Sequence, residues 1–241
     1  MVINDFAILA SDTARTKAYI QMMARKDLKP GICVIYTDHI EKMREEAQIY
    51  MEAEEEAEYF DLEEPILHTV KKAGIDYRVV TNKDINSDEM ALAIQSLEQK
   101  YLIYSGYGGA ILKKHLFQYN KRFVHVHAGI LPQYRGSTTA YYSLLQEGYI
   151  GATAIFLNEG IDEGEIIATG RYPVPPNNVD VDLLYEPYLR SLVLEKVMSD
   201  FICKGELKSA AQTSENAQTY FIIHPVLKHL ALMGKGPIRK G

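Results

Sequence analysis

From Asp5 to His127 the chain alternates short apolar runs with segments of helical periodicity, and no other feature restricts its fold as much. Residues 5–10, 32–36, 77–81, 101–104 and 123–127 read as strands: short, apolar and bounded by polar or glycine-containing breaks. Between them, 13–25, 65–73, 87–100 and 112–119 read as helices, and Met43, Ala47, Tyr50 and Met51 outline a further helical face inside the charged segment 39–64. Strands that alternate with helices of this length call for an α/β fold, a doubly wound and mostly parallel sheet covered on both faces.

The pattern changes after residue 127. A helix over 139–147, with Ser137 or Thr138 as its cap, leads to two strands at 152–157 and 165–170 whose short connection suits a hairpin. The break at 174–178 precedes a helix over 182–203. A catalytic domain is therefore expected over 1–205. Residues 206–241 are too few for a core of their own and form a C-terminal extension, whose segment Gln218 to Pro225 suits core docking, a homodimer edge or a lid. The acidic run 52–58 reads as a solvated helix surface.

Composition narrows the function. A formal net charge of −6 argues against a surface built to neutralise many phosphates, so a nucleic-acid partner is not expected. The start lacks a basic n-region and no apolar run approaches ~18 residues, so a soluble cytoplasmic protein without a membrane partner is expected. Cys33 and Cys203 stand far apart, without zinc-site or disulfide spacing. The first strand-to-helix turn, Ala10-Ser-Asp-Thr13, contains no glycine that would let backbone approach a phosphate, which argues against nicotinamide, flavin or P-loop nucleotides.

Chemistry concentrates between Tyr101 and Gly170. In Phe123-Val-His-Val-His127 strand alternation puts His125 and His127 on one face at the carboxyl end of a strand, where open α/β sheets bind ligands. The following loop, Ala128 to Gly136, is stiffened by Pro132 and freed by two glycines. Two histidines can also be metal ligands, but a metal needs a third, for which only Asp162 is evident, and no metal is expected. Histidines that merely satisfy buried hydrogen bonds are the plainer alternative.

His127-Ala-Gly-Ile-Leu-Pro-Gln-Tyr-Arg-Gly136, followed by Thr153-Ala-Ile-Phe-Leu-Asn-Glu-Gly-Ile-Asp-Glu-Gly-Glu-Ile166, resembles the folate-dependent formyltransferases. Their pattern is Asn-x-His, a Leu-Leu-Pro-type loop, and Asp-x-Gly on the next hairpin. The resemblance implies a Rossmann-like formyltransferase fold, with 10-formyltetrahydrofolate as donor and a small-molecule amine as acceptor. It assigns catalytic roles to His127 and Asp162, and folate contacts to Leu131, Pro132 and Ile161. Tyr107-Gly-Gly-Ala-Ile-Leu112, with Gly109, Ile111 and Leu112, resembles the segment lining the other side of the folate pocket, one residue longer than usual. His125 stands where the family carries asparagine.

The implied reaction is attack of an amine on the formyl carbon, with an oxyanion to stabilise and a folate nitrogen to protonate as it leaves. Histidine can serve both needs, and aspartate can orient the imidazole and take the amine's proton. His125 can supply the asparagine's hydrogen bond only in one tautomer or as a cation. Methionyl-tRNA formyltransferases of this family carry a C-terminal barrel and a basic surface. Neither is evident here, so the expected acceptor is a small amine, especially an amino sugar on a nucleotide. The alternatives are a formyltetrahydrofolate hydrolase, whose relatives carry an extra N-terminal domain, an acyltransferase with another donor, and a non-catalytic folate-binding homologue.

Overall fold

The computed structural model describes residues 1–52, 57–176, 178–213 and 215–233. It divides into two compact units, Met1–His125 and Val126–Gly241. In the first, strands β1 (Val2–Ala10), β2 (Lys29–Tyr36), β3 (Tyr77–Val80), β4 (Tyr101–Ser105) and β5 (Arg122–His127, which runs past the division) line up in the order β3-β2-β1-β4-β5. Every neighbouring pair among them is parallel. The apolar runs make the core: Phe6, Ile8, Leu9, Val34, Ile35 and Leu102 have no exposed surface.

Helices α1 (Ala14–Arg25), α2 (Ile40–Ile49), α3 (Ile66–Lys72) and α4 (Asp88–Gln95) connect these strands. Thr13 caps α1 by accepting the Thr16 N–H, and Ser87 caps α4 by accepting that of Met90. The strand order reverses direction between β1 and β4, so right-handed crossovers put α4 on the opposite face from α1: the sheet is doubly wound. At this switch point polar side chains fill the crevice. Thr16 Oγ1 lies 2.7 Å from Ser105 Oγ, and Arg15 Nε donates to the same oxygen at 3.2 Å.

Several expected boundaries move. Pro30 and Gly31 belong to β2 rather than to the preceding turn, because a parallel partner is available at Ile3. The helix expected over 87–100 ends at Gln95, and that over 112–119 is a 3-10 turn, Lys114–Tyr119, closed by Asn120 in the left-handed region. Met51 lies beyond α2 and is exposed, so it is not part of a buried face. Most of the acidic run 52–58 falls outside the described residues, as does the basic end 235–241.

In the second unit, α5 (Thr139–Glu147) leads into an antiparallel hairpin of β7 (Ile150–Phe156) and β8 (Ile166–Tyr172). All seven residues of β7 are buried. Helix α6 (Glu186–Lys204), preceded by a π turn at Val181–Tyr185, packs on both strands and stops at Gly205, whose φ of +73° suits a residue without a Cβ. Past it, β9 (Thr219–Tyr220) pairs in parallel with β6 (Arg135–Gly136), and α7 (Pro225–Met233) lies against α5. Tyr220 stacks on Tyr134 with ring centroids 5.5 Å apart. No helix among the described residues is long and apolar enough to cross a membrane.

Candidate active site

Strand β5 ends at His127, 4% exposed, and the chain then turns sharply through Ala128–Tyr134 with a cis peptide at Leu131-Pro132. This turn brings the Tyr134 carbonyl back to 2.6 Å from His127 Nε2. Thr139 Oγ1 lies 3.3 Å from the same nitrogen and donates its own hydrogen to the Ala128 carbonyl at 2.5 Å. Nε2 thus faces a carbonyl that can only accept and a hydroxyl whose hydrogen is already committed. The neutral imidazole must carry its proton on Nε2.

His127 Nδ1 then presents its lone pair to Asp162 Oδ2 at 3.4 Å. Asp162 sits at the hairpin tip between β7 and β8 with φ +54°, a left-handed conformation that asparagine and aspartate tolerate better than most residues. Its Oδ2 accepts the Gly136 N–H at 2.9 Å. Burial lowers the pKa of His127, while the charge of Asp162 and the Tyr134 carbonyl oppose that change. A neutral imidazole and a carboxylate set lone pair against lone pair. A proton on Nδ1 would convert this contact into a hydrogen bond.

The loop floor is fixed from β7. The Thr153 hydroxyl accepts the Leu131 N–H at 3.2 Å and donates to the Gly129 carbonyl at 2.6 Å. Leu131 and Pro132 are buried, whereas Ile161, beside Asp162, is 57% exposed.

In the first unit, His125 is half-buried, its ring centroid 6.1 Å from that of Tyr104. The segment after β4 is held by the Tyr104 hydroxyl, which donates to the Ala110 carbonyl at 2.8 Å. Asn86 reinforces it, donating to the Ile111 carbonyl at 3.0 Å and accepting the Lys113 N–H at 2.7 Å. Gly109 has φ +77°, Tyr107 packs edge-on against Tyr36, Leu112 is buried, and Ile111 is 62% exposed.

A known family, described as formyl transferase, matches this chain over residues 5–189, a span that includes the strand end at His127, the Leu131-Pro132 loop and the hairpin carrying Asp162. The chain belongs to that family. A methionyl-tRNA formyltransferase from Finegoldia magna is 29% identical over 131 residues, covering 53% of this chain and 41% of that protein. One from Nitratiruptor is 30% identical over 96 residues, 39% of this chain and 31% of that protein. The chain therefore spans less than half the length of these curated relatives.

Among solved structures, an N-formyltransferase from Helicobacter canadensis, in complex with folinic acid and dTDP-3-aminofucose, aligns with a TM-score of 0.60 at 16% identity, over 99% of this chain and 85% of that one. A glycinamide ribonucleotide transformylase from Symbiobacterium toebii aligns at 0.57 and 16%, over 88% and 95%. At these identities the likeness establishes the formyltransferase family's Rossmann-like fold.

Sequence reasoning singled out His127 and Asp162, which the fold brings together. It missed the Tyr134 carbonyl and Thr139 on Nε2 and the Gly136 N–H on Oδ2, of which only Gly136, in the quoted Arg-Gly pair, left a signal. The expected cap by Ser137 or Thr138 does not form. Thr138 has φ +52°, and its hydroxyl accepts the Ile223 N–H at 2.9 Å.

Proposed function

We infer that this chain transfers the formyl group of 10-formyltetrahydrofolate to the amine of a small acceptor, with His127 and Asp162 moving the proton. The observation that carries the reading is the pair at 3.4 Å, a buried histidine and a partly buried aspartate, whose tautomer leaves Nδ1 and Oδ2 facing each other. The acceptor nitrogen forms its bond to the formyl carbon, and the proton it sheds enters the pair. The bond from that carbon to the folate N10 breaks, and the proton passes to N10, so this nitrogen leaves as a neutral amine. His125 takes the family asparagine's role as a donor to the developing oxyanion. Ile111 in the first unit and Ile161 in the second are each an exposed apolar side chain of a segment that the family resemblance assigns to the folate.

An amino sugar on a nucleotide is the acceptor class we favour. Support comes from the net charge of −6, unsuited to a long polyanion, and from the coverage of the Helicobacter canadensis N-formyltransferase, which was crystallised with such a compound. The test is to supply 10-formyltetrahydrofolate with a panel of amino-sugar nucleotides, amino acids and ribonucleotide amines, and to follow tetrahydrofolate release. Turnover with an amino-sugar nucleotide, reduced by a factor of ~10²–10⁴ in Asp162→Asn, is expected. Formate release without any amine would identify a hydrolase instead, and no turnover together with no binding of 5-formyltetrahydrofolate would overturn the folate reading.

A further inference from the structure

The C-terminal extension lies outside the matched family segment, yet its side chains and backbone surround the loop that fixes Asp162. Gln212 is at the centre. Its Nε2 donates to the Asp162 carbonyl at 2.7 Å and to the Gly164 carbonyl at 2.8 Å. Its Oε1 accepts from Arg135 Nε at 3.2 Å and Nη2 at 2.8 Å. One amide therefore ties the hairpin tip that carries the aspartate to the loop that carries Gly136.

The backbone on either side of Gln212 continues the same pattern. Upstream, Ile166 and Ala210 exchange two N–H to carbonyl bonds, at 2.8 and 2.9 Å, and Ser209 donates to the Glu165 carboxylate at 2.8 Å. Downstream, the Gln218 carbonyl accepts the Arg135 N–H and that of Tyr220 the Ser137 N–H, both at 2.9 Å. These contacts hold both sides of the Asp162 carboxylate: the left-handed residue that carries it, and Gly136, whose N–H binds Oδ2. Aspartate adopts the left-handed conformation less readily than glycine, so contacts from its surroundings help to hold it there. Gln212 caps both carbonyls that flank the turn.

We propose that Gln212 is a positioning residue for the proton-transfer pair, so that the C-terminal extension completes the active site. The inference rests on the formyl-transfer reading for its catalytic meaning but not for its test. Gln212→Met keeps the side-chain length and removes all four hydrogen bonds, and Gln212→Ala provides a second variant that cannot clash. In each, the released hairpin tip lets the carboxylate drift from Nδ1.

Asp162 raises the proton affinity of His127, so its retreat lowers the His127 titration midpoint in the free protein, read from its ring-proton NMR signal and assigned with His127→Asn. A displacement of ~1 Å lowers kcat on the order of 10²-fold at unchanged donor KM. A titration shifted to lower pH in both variants, with near-parental thermal midpoints, supports the proposal. Parental His127 titration in both variants overturns it, even if they are less stable, since Gln212 would then be a structural residue only. If the parent protein forms no formylated product, the formyl-transfer reading fails while the NMR titration still decides the role of Gln212.

Discussion

Replacement of Gly136 by alanine is expected to separate the worth of the β6–β9 pairing from the cost of backbone conformation. Gly136 has φ +94°, and a Cβ built there falls inside contact distance of the Tyr220 carbonyl oxygen. The conformational penalty is roughly 1–3 kcal/mol. The Cβ also pushes β9 away, which puts the bonds from Arg135 N–H to Gln218 and from Ser137 N–H to Tyr220 at risk. At about 0.5–1.5 kcal/mol each these add ~1–3 kcal/mol, for a total near ~2–6 kcal/mol. Gly205 supplies the comparison: its φ is +73° and nothing lies within 4 Å of its Cβ position, so Gly205→Ala costs only ~1–2 kcal/mol of backbone strain. Urea unfolding of both variants, followed by circular dichroism, should place Gly136→Ala below Gly205→Ala by ~1–4 kcal/mol. Equal losses would mean that β9 contributes nothing to holding the loop.

The direction of the His127 pKa also bears on stability and rate. Folding lowers that pKa, so the unfolded chain binds the extra proton first, and this part of the stability is full above the ordinary histidine value of ~6.5 and is lost as pH falls below it. Relative to His127→Asn, the parent should lose stability between neutral pH and pH ~5. A difference that is flat with pH would contradict the buried neutral imidazole. With the neutral ring as base, as proposed, the acid limb of kcat/KM should lie below the same ~6.5, and a limb above it would remove His127 from that role. At His125, Asn should retain activity because an amide supplies the same fixed donor, whereas Ala should lose ~10²–10³ in kcat, with comparable losses for both pointing to a need for imidazole itself.

Much of this architecture is legible in the chain because burial writes itself as periodicity. The runs at 5–10, 101–104 and 123–127 are largely apolar because β1, β4 and β5 are buried in a parallel sheet, whereas the pairing of β4 with β1 leaves no mark in the sequence. His127 and Asp162 are legible because the two segments that carry them resemble the formyltransferase pattern. Boundaries set by pairing are not: Pro30 joins β2 because Ile3 lies opposite, a fact no local pattern carries. The other half of the site is hidden for the same reason. The atoms that set the His127 tautomer include a main-chain carbonyl, the donor on Asp162 is a main-chain N–H, and Gln212 lies 50 residues beyond Asp162 in a segment with no motif.

The long reach from Asp162 to Gln212 also sets an order of events during synthesis. A nascent chain that has reached Lys204 already contains the histidine, the aspartate and every strand of the parallel sheet. It lacks Gln212, Gln218 and Tyr220, whose bonds hold the hairpin tip and the loop. At about 5–20 residues per second the 50 residues between Asp162 and Gln212 take roughly 3 to 10 s to add. On the role proposed for Gln212, a ribosome-bound chain in that interval carries the pair without the bonds that hold its hairpin tip.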